Sequence, residues 1–179
     1  MIFNKYEKRG AYHWDEYKQG TIYRDHVNKV LEWVRKGKTL DIGAGDGLIT
    51  FMLDASGIDN NELSVQLAKE RGANVKYGDA YHLACDELYD NILLMDVIEH
   101  FKEPDKVLRN IQKALVPNGL LYVTIPPKKE SGLHDKYHYY EWSPDGFIAF
   151  MRVNNFECID LEVIDKYVRM YGVFKSIIN

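Results

Sequence analysis

The run Thr39-Leu-Asp-Ile-Gly-Ala-Gly-Asp-Gly47 carries the strongest chemical signal in the chain. An apolar strand leads into glycine at every second position, and a helical segment follows. Without Cβ atoms at Gly43, Gly45 and Gly47 the main chain can turn sharply and lie against a ligand, while amides at the start of the helix point outward. Dinucleotide-binding enzymes hold a pyrophosphate at such a junction, usually with two residues before the last glycine. Here that gap is one residue, and Asp41 and Asp46 flank the turn. Carboxylates there repel phosphate and attract a cation such as an amino-acid ammonium or a sulfonium. Taken alone, the loop also fits a tight βα turn with no ligand.

Further carboxylates follow in order. Asp59 ends a second short strand, where it can accept hydrogen bonds from both hydroxyls of a ribose. Asn60 comes next, and Asn61 suits the cap of a helix beginning at Glu62. Asp79, in Tyr77-Gly-Asp-Ala80, stands where it can accept a proton from an exocyclic adenine amine. Each aspartate singly fits a cap or a turn; strand-end acids in succession favour a nucleoside. For proton transfer the candidates are Glu99 and His100, after the fourth strand, and His134 and His138 in the polar loop after the fifth. Glu99 and His100 could equally anchor a loop. His134 and His138 beside Asp135 could furnish a general base or a weak metal site; with so few ligands the base is favoured and no metal is expected. Tyr137, Tyr139, Tyr140 and Trp142 suit an apolar acceptor pocket or the underside of the last helix.

Alternating apolar runs and helical segments position these residues. Strands are predicted at Thr39–Ile42, near Gly57 and Ile58, at Val75–Tyr77, Asn91–Met95 and Leu120–Ile125, with helices at Tyr23–Val34, Gly47–Asp54, Glu62–Arg71 and Asp105–Leu115. Ser143 and Pro144 read as cap and first residue of a helix running to Asn154. The apolar stretches 156–164 and 167–174, broken at Asp165, suit a hairpin. The pattern predicts an α/β domain, a parallel sheet with helices on both faces. Residues 1–22 are crowded with Tyr6, Tyr12, His13, Trp14 and Tyr17, which fits a segment packed on the sheet or a flap over a ligand.

The sequence resembles the class I S-adenosylmethionine-dependent methyltransferases, in the branch that includes the ubiquinone-biosynthesis methyltransferases. The resemblance runs from Tyr23 to Ile164 and rests on Leu40-Asp-Ile-Gly-Ala-Gly-Asp-Gly47, Gly57-Ile-Asp59, Gly78-Asp-Ala80, Tyr89-Asp-Asn-Ile-Leu-Leu-Met-Asp-Val-Ile-Glu-His100 and Leu115-Val-Pro-Asn-Gly-Leu-Leu-Tyr-Val-Thr-Ile-Pro126. It implies a Rossmann-like, seven-stranded, mostly parallel sheet ending in an antiparallel hairpin, with S-adenosyl-L-methionine as cofactor. Asp41 and Gly43, Ala44 and Gly45 would hold the methionine moiety, Asp59 with Asn60 the ribose, Asp79 with the Ala80 amide the adenine, and Leu94 and Met95 would lie against the cofactor. Two departures stand out. The segment from Gly47 to Asp59 is short, so the first helix or second strand is clipped, and Pro117-Asn-Gly119 lacks the family's usual second glycine. The resemblance implies methyl transfer to a small molecule, with oxygen as the first choice of acceptor atom. A non-catalytic cofactor-binding protein or partner subunit is the alternative, and a nicotinamide oxidoreductase is disfavoured by the glycine spacing.

The totals narrow the classes further. At 179 residues the chain suits one domain, with 46% hydrophobic and 28% charged residues as in ordinary globular proteins. A net charge of −4 disfavours nucleic acid as main partner. Two cysteines, Cys85 and Cys158, make no disulfide framework, and no apolar run reaches the length of a membrane span. A cytoplasmic protein is expected.

Overall fold

The computed structural model describes residues 5–83, 88–128, 135–164 and 169–178. Strand β1 (Thr39–Ile42) is buried along its whole length, as a parallel strand covered on both faces must be. It pairs in parallel with β2 (Ser56–Asp59) on one side and β4 (Tyr89–Met95) on the other. Strands β3 (Val75–Tyr77) and β5 (Leu115–Ile125) extend the parallel array, and β7 (Arg169–Ser176) runs antiparallel between β5 and β6 (Phe156–Ile164). The order β3-β2-β1-β4-β5-β7-β6 is the expected seven-stranded sheet with its terminal hairpin. Because the chain winds outward in opposite directions from β1 and β4, their carboxyl ends open a crevice between diverging loops. Open α/β sheets bind ligands at that switch point.

The helices α3 (Ile22–Trp33), α4 (Leu48–Met52), α5 (Glu62–Glu70), α6 (Pro104–Ala114) and α7 (Pro144–Val153) carry apolar stripes onto the sheet. Helix α3 starts one residue before its predicted position because the Thr21 hydroxyl accepts from the Tyr23 amide at 3.2 Å. The short α4 answers the clipped segment after the glycine loop: five helical residues suffice, and β2 keeps its place beside β1 with Ile58 paired to Ile42. Strand β5 begins at Leu115, not Leu120. Leu115 pairs with Tyr89 before a register shift, and Asn118 takes the left-handed turn at φ 64° in place of a glycine. The residues around the predicted hairpin break, 165–168, with Tyr167, and Cys85 lie outside the described residues. Among the described residues no helix is long and apolar enough to cross a membrane.

The aromatic loop ahead of α7 divides between core and surface. Trp142 packs on Phe147 and Phe150 at ring separations of 5.4 and 5.1 Å, closing the core beneath α7. The Ser143 hydroxyl accepts from the Gly146 amide at 3.2 Å and starts the helix. Ser143→Ala is expected to cost about 1 kcal/mol of unfolding free energy, read by urea denaturation. A cost near zero would show that Pro144 alone sets the helix start.

Candidate active site

Above the carboxyl ends of β1, β2 and β4 lies a cavity of about 1310 Å³. That exceeds the usual space for one drug-sized ligand and leaves room for two molecules side by side. Asp41, Gly43, Ala44, Gly45, Asp59, Asn60, Ala80 and Met95 line it, as do Glu99, His100 and His138. Leu94 does not: it is wholly buried in the core, because its side chain falls on the opposite face of β4 from Met95. Asp79 is also outside the lining, its carboxylate accepting from the Tyr81 amide at 2.9 Å and pairing with His82 at 3.3 Å.

The glycine loop is held differently from the sequence expectation. Its amides are not free: Gly43 N and Ala44 N donate to Ile58 O at 2.8 and 3.0 Å, and Gly45 N donates to Asp59 Oδ2 at 2.8 Å. What the loop offers the cavity is therefore bare main-chain surface more than open donors. Asp59 is fixed further by Asn61 N at 2.8 Å and Ser64 Oγ at 2.9 Å, while Asn61 caps α5 as predicted. Asp41 is only 2% exposed and accepts from Thr50 Oγ1 at 2.7 Å. Burial pushes its carboxyl up to about 6; the Thr50 hydrogen bond opposes that and Asp59 adds to it.

Asp46, read as a flanking charge, is instead a tether. His13 donates its amide at 3.0 Å and sets Nδ1 at 3.1 Å from the Asp46 carboxylate, and Trp14 Nε1 donates to its carbonyl at 2.8 Å. These bonds fasten α2 (Tyr12–Gln19), and with it α1 (Lys5–Arg9), beside the glycine loop. Tyr6 and Tyr12 are buried there and line the cavity.

At the other end, one helical turn, Ile98–His100, follows β4. Glu99 is 1% exposed, and neither carboxylate oxygen has a hydrogen-bond partner among the described residues. Burial first, then the charge of Asp96, raises its carboxyl well above the ordinary range. Tyr139 N donates to Glu99 O at 2.8 Å, pinning the loop so that the His138 ring stands 5.0 Å from that of His100. Burial and the neighbouring His100 lower His138. His134 lies outside the described residues.

Sequence reasoning missed Asp96 and Arg169, which also line the cavity. Arg169 Nε donates to Asp96 Oδ2 at 2.6 Å. Burial by itself raises the Asp96 carboxyl, but the combined attraction of Arg169, His26 and the Thr124 hydroxyl leaves it below its usual value. Asp96 was findable, since it follows a predicted strand just as Asp59 ends one. No local signal marks Arg169, which arrives from β7.

Known proteins share this architecture. A family model described as a methyltransferase domain matches residues 34–166. The ubiquinone biosynthesis O-methyltransferase of Rickettsia conorii is 31% identical over 107 residues, which are 54% of this chain and 37% of that protein. The chain thus spans well under half the length of that relative. A crystal structure of a SAM-dependent methyltransferase from Thermotoga maritima, described as a possible histamine N-methyltransferase, superposes with a TM-score of 0.76 at 20% identity, covering 97% of this chain and 95% of that one. Magnesium protoporphyrin IX methyltransferase from Synechocystis, solved with bound SAH, gives 0.70 at 16% identity, covering 87% and 84%. With the family model covering most of the sheet and the glycine loop, the chain belongs to the methyltransferase-domain family, the class I S-adenosylmethionine-dependent methyltransferases.

Proposed function

We propose that this chain transfers a methyl group from S-adenosylmethionine to a small-molecule acceptor at oxygen. The observation that carries the reading is one continuous cavity with a bare glycine loop and two carboxylates at one end and a carboxylate and two imidazoles at the other. The cofactor fits the first end: Gly43 and Gly45 keep the loop clear of side chains, with the Tyr6 hydroxyl standing over Gly45 where a Cβ would collide, and Asp41 and Asp59 offer negative charge to an ammonium and two ribose hydroxyls. Bound there, S-adenosylmethionine supplies an already activated methyl on a cationic sulfur.

The protein's own work is orientation, water exclusion and acceptance of a proton. Gly43, Ala44 and Gly45 with Asp41 hold the amino-acid end; Asp59 and Asn60 hold the ribose; Ala80 and Met95 border the adenine side. The α1–α2 segment covers the loop and excludes water, as a cap on a core that begins near residue 23. For an acceptor hydroxyl held beside that methyl, Glu99, His100 and His138 would line the route by which its proton leaves. Oxygen as acceptor atom is supported by that proton-accepting cluster and by the O-methyltransferase relative. The test offers methyl-labelled cofactor with a panel of phenols and of amines. Label on phenols supports the reading; label confined to amines, or none despite cofactor binding, overturns it.

Asp41 gives a pH dependence. Its folded carboxyl sits near 6, above the 3.8 of an unperturbed aspartate. An acid raised by folding stabilises the fold below the unfolded value and loses that contribution as pH climbs from 3.8 to about 6. Cofactor binding runs the other way, because an ammonium needs the ionised form. Affinity for S-adenosylhomocysteine should fall about tenfold between pH 7 and pH 5 by calorimetry, and Asp41→Asn should flatten that step. An unchanged slope in the variant would remove Asp41 from the role.

A further inference from the structure

Two side chains near the end of β4 hold buried polar atoms that make no hydrogen bond among the described residues, the nearest carboxylate to His138 Nδ1 being that of Glu141 at 3.7 Å. Both Glu99 oxygens and Nδ1 of His138 are shut off from solvent without a hydrogen-bond partner among the described residues. Such atoms are few in folded proteins, and here three converge on one spot. Glu99, His100 and His138 each offer a ligand atom within 4.8 Å of the others. The set is one carboxylate and two imidazoles, the donors of catalytic zinc and related divalent sites.

The surroundings are arranged for ligation as well. His100 Nδ1 lies 2.9 Å from the Tyr137 carbonyl, a bond that requires the proton on Nδ1 and leaves the Nε2 lone pair available. The Tyr139 amide to Glu99 carbonyl bond, at 2.8 Å, holds the His138 loop against the turn that carries the other two groups. Ligand atoms around a tetrahedral ion at about 2.1 Å stand roughly 3.4 Å apart, so a shift of about an ångström, mainly of the exposed His100 imidazole, would close the remaining gap.

We propose that Glu99, His100 and His138 bind one divalent transition-metal ion of the zinc type, with its open position facing the cavity. The ion neutralises the buried carboxylate and leaves a site for an oxygen from solvent or from an acceptor. Its use in methyl transfer rests on the function proposed above; its binding does not. With the ion bound, these three groups would act on the acceptor proton through the metal, which would lower the proton affinity of the hydroxyl, and solvent in the cavity would take the proton in place of the side chains.

The test uses the untagged full chain, stripped with chelator and titrated with zinc chloride by calorimetry in the absence of cofactor. Cobalt(II) is added separately to read the ligand field from its visible spectrum. One equivalent is expected to bind per chain, with affinity lowered about tenfold or more by Glu99→Gln and by His138→Gln. Thermal unfolding confirms that each variant is folded; if either fails, His100→Gln at the exposed ligand replaces it and should lose affinity likewise. No one-site binding by the parent, or equal affinity in the folded variants, overturns the site. Metal binding without affinity for S-adenosylhomocysteine would instead sink the methyl-transfer reading and leave this one standing.

Discussion

Asp59→Ala lowers affinity for S-adenosylhomocysteine by about 10²–10⁴-fold while the protein still folds. The magnitude follows from two hydroxyls on one carboxylate, each a charge-assisted hydrogen bond of about 1.5–3 kcal/mol, converted at 1.4 kcal/mol per tenfold. The side chain also does local work. Its oxygens already accept from Gly45 N, Asn61 N and Ser64 Oγ, so its removal loosens the glycine loop and the start of α5 together. Asp59→Asn separates the two effects. The amide keeps one acceptor oxygen for the loop but loses the charge, and should fall between parent and alanine variant. Calorimetric titration measures the affinities, and thermal unfolding shows that the fold survives. Parent-like affinity in a folded Asp59→Ala protein would take the ribose away from the tip of β2.

The sheet was legible because its physics is local. Apolar runs bounded by glycine and aspartate gave the strands β1, β3, β4 and β6 to within two residues, and Ser143 and Asn61 announced the helices they cap. The loop's role as a bend was legible too, but the destination of its amides was not. Gly43 and Ala44 donate to Ile58, a partner chosen by how β2 registers against β1. Asp46 shows the same limit. Sequence offers a charge beside a glycine turn; only the return of α2 onto the loop turns that charge into an acceptor for His13. Glu99, His100 and His138 meet because the Tyr139 amide bonds to the Glu99 carbonyl and His100 Nδ1 to the Tyr137 carbonyl, contacts between distant segments that no periodicity encodes. Arg169 is hidden for a like reason, since its partner Asp96 lies 73 positions away.

Gly45→Val should abolish cofactor binding, with a loss of about 10³-fold or more, and two independent penalties lead to it. Gly45 sits at φ 58°, where an ordinary L-residue costs roughly 1–2 kcal/mol and a β-branched one more. A Cβ there would also stand 2.2 Å from the Tyr6 hydroxyl, so either the ring leaves its buried place or the loop retreats. Both responses deform the surface proposed to receive the amino-acid end of the cofactor. Backbone strain alone is controlled by Gly72→Ala. Gly72 has φ 80°, but a Cβ there meets nothing closer than Phe51 at 3.7 Å, outside the cavity. That variant should lose a little stability and keep its affinity. Combining Gly45→Ala with Tyr6→Ala removes the collision while retaining the strain, and should recover part of the affinity that Gly45→Ala alone forfeits. Recovery would tie Tyr6 to the cofactor site as its cap. A Gly45→Val protein that unfolds at the parent's temperature and binds S-adenosylhomocysteine as tightly would mean that the nucleoside does not lie on this loop.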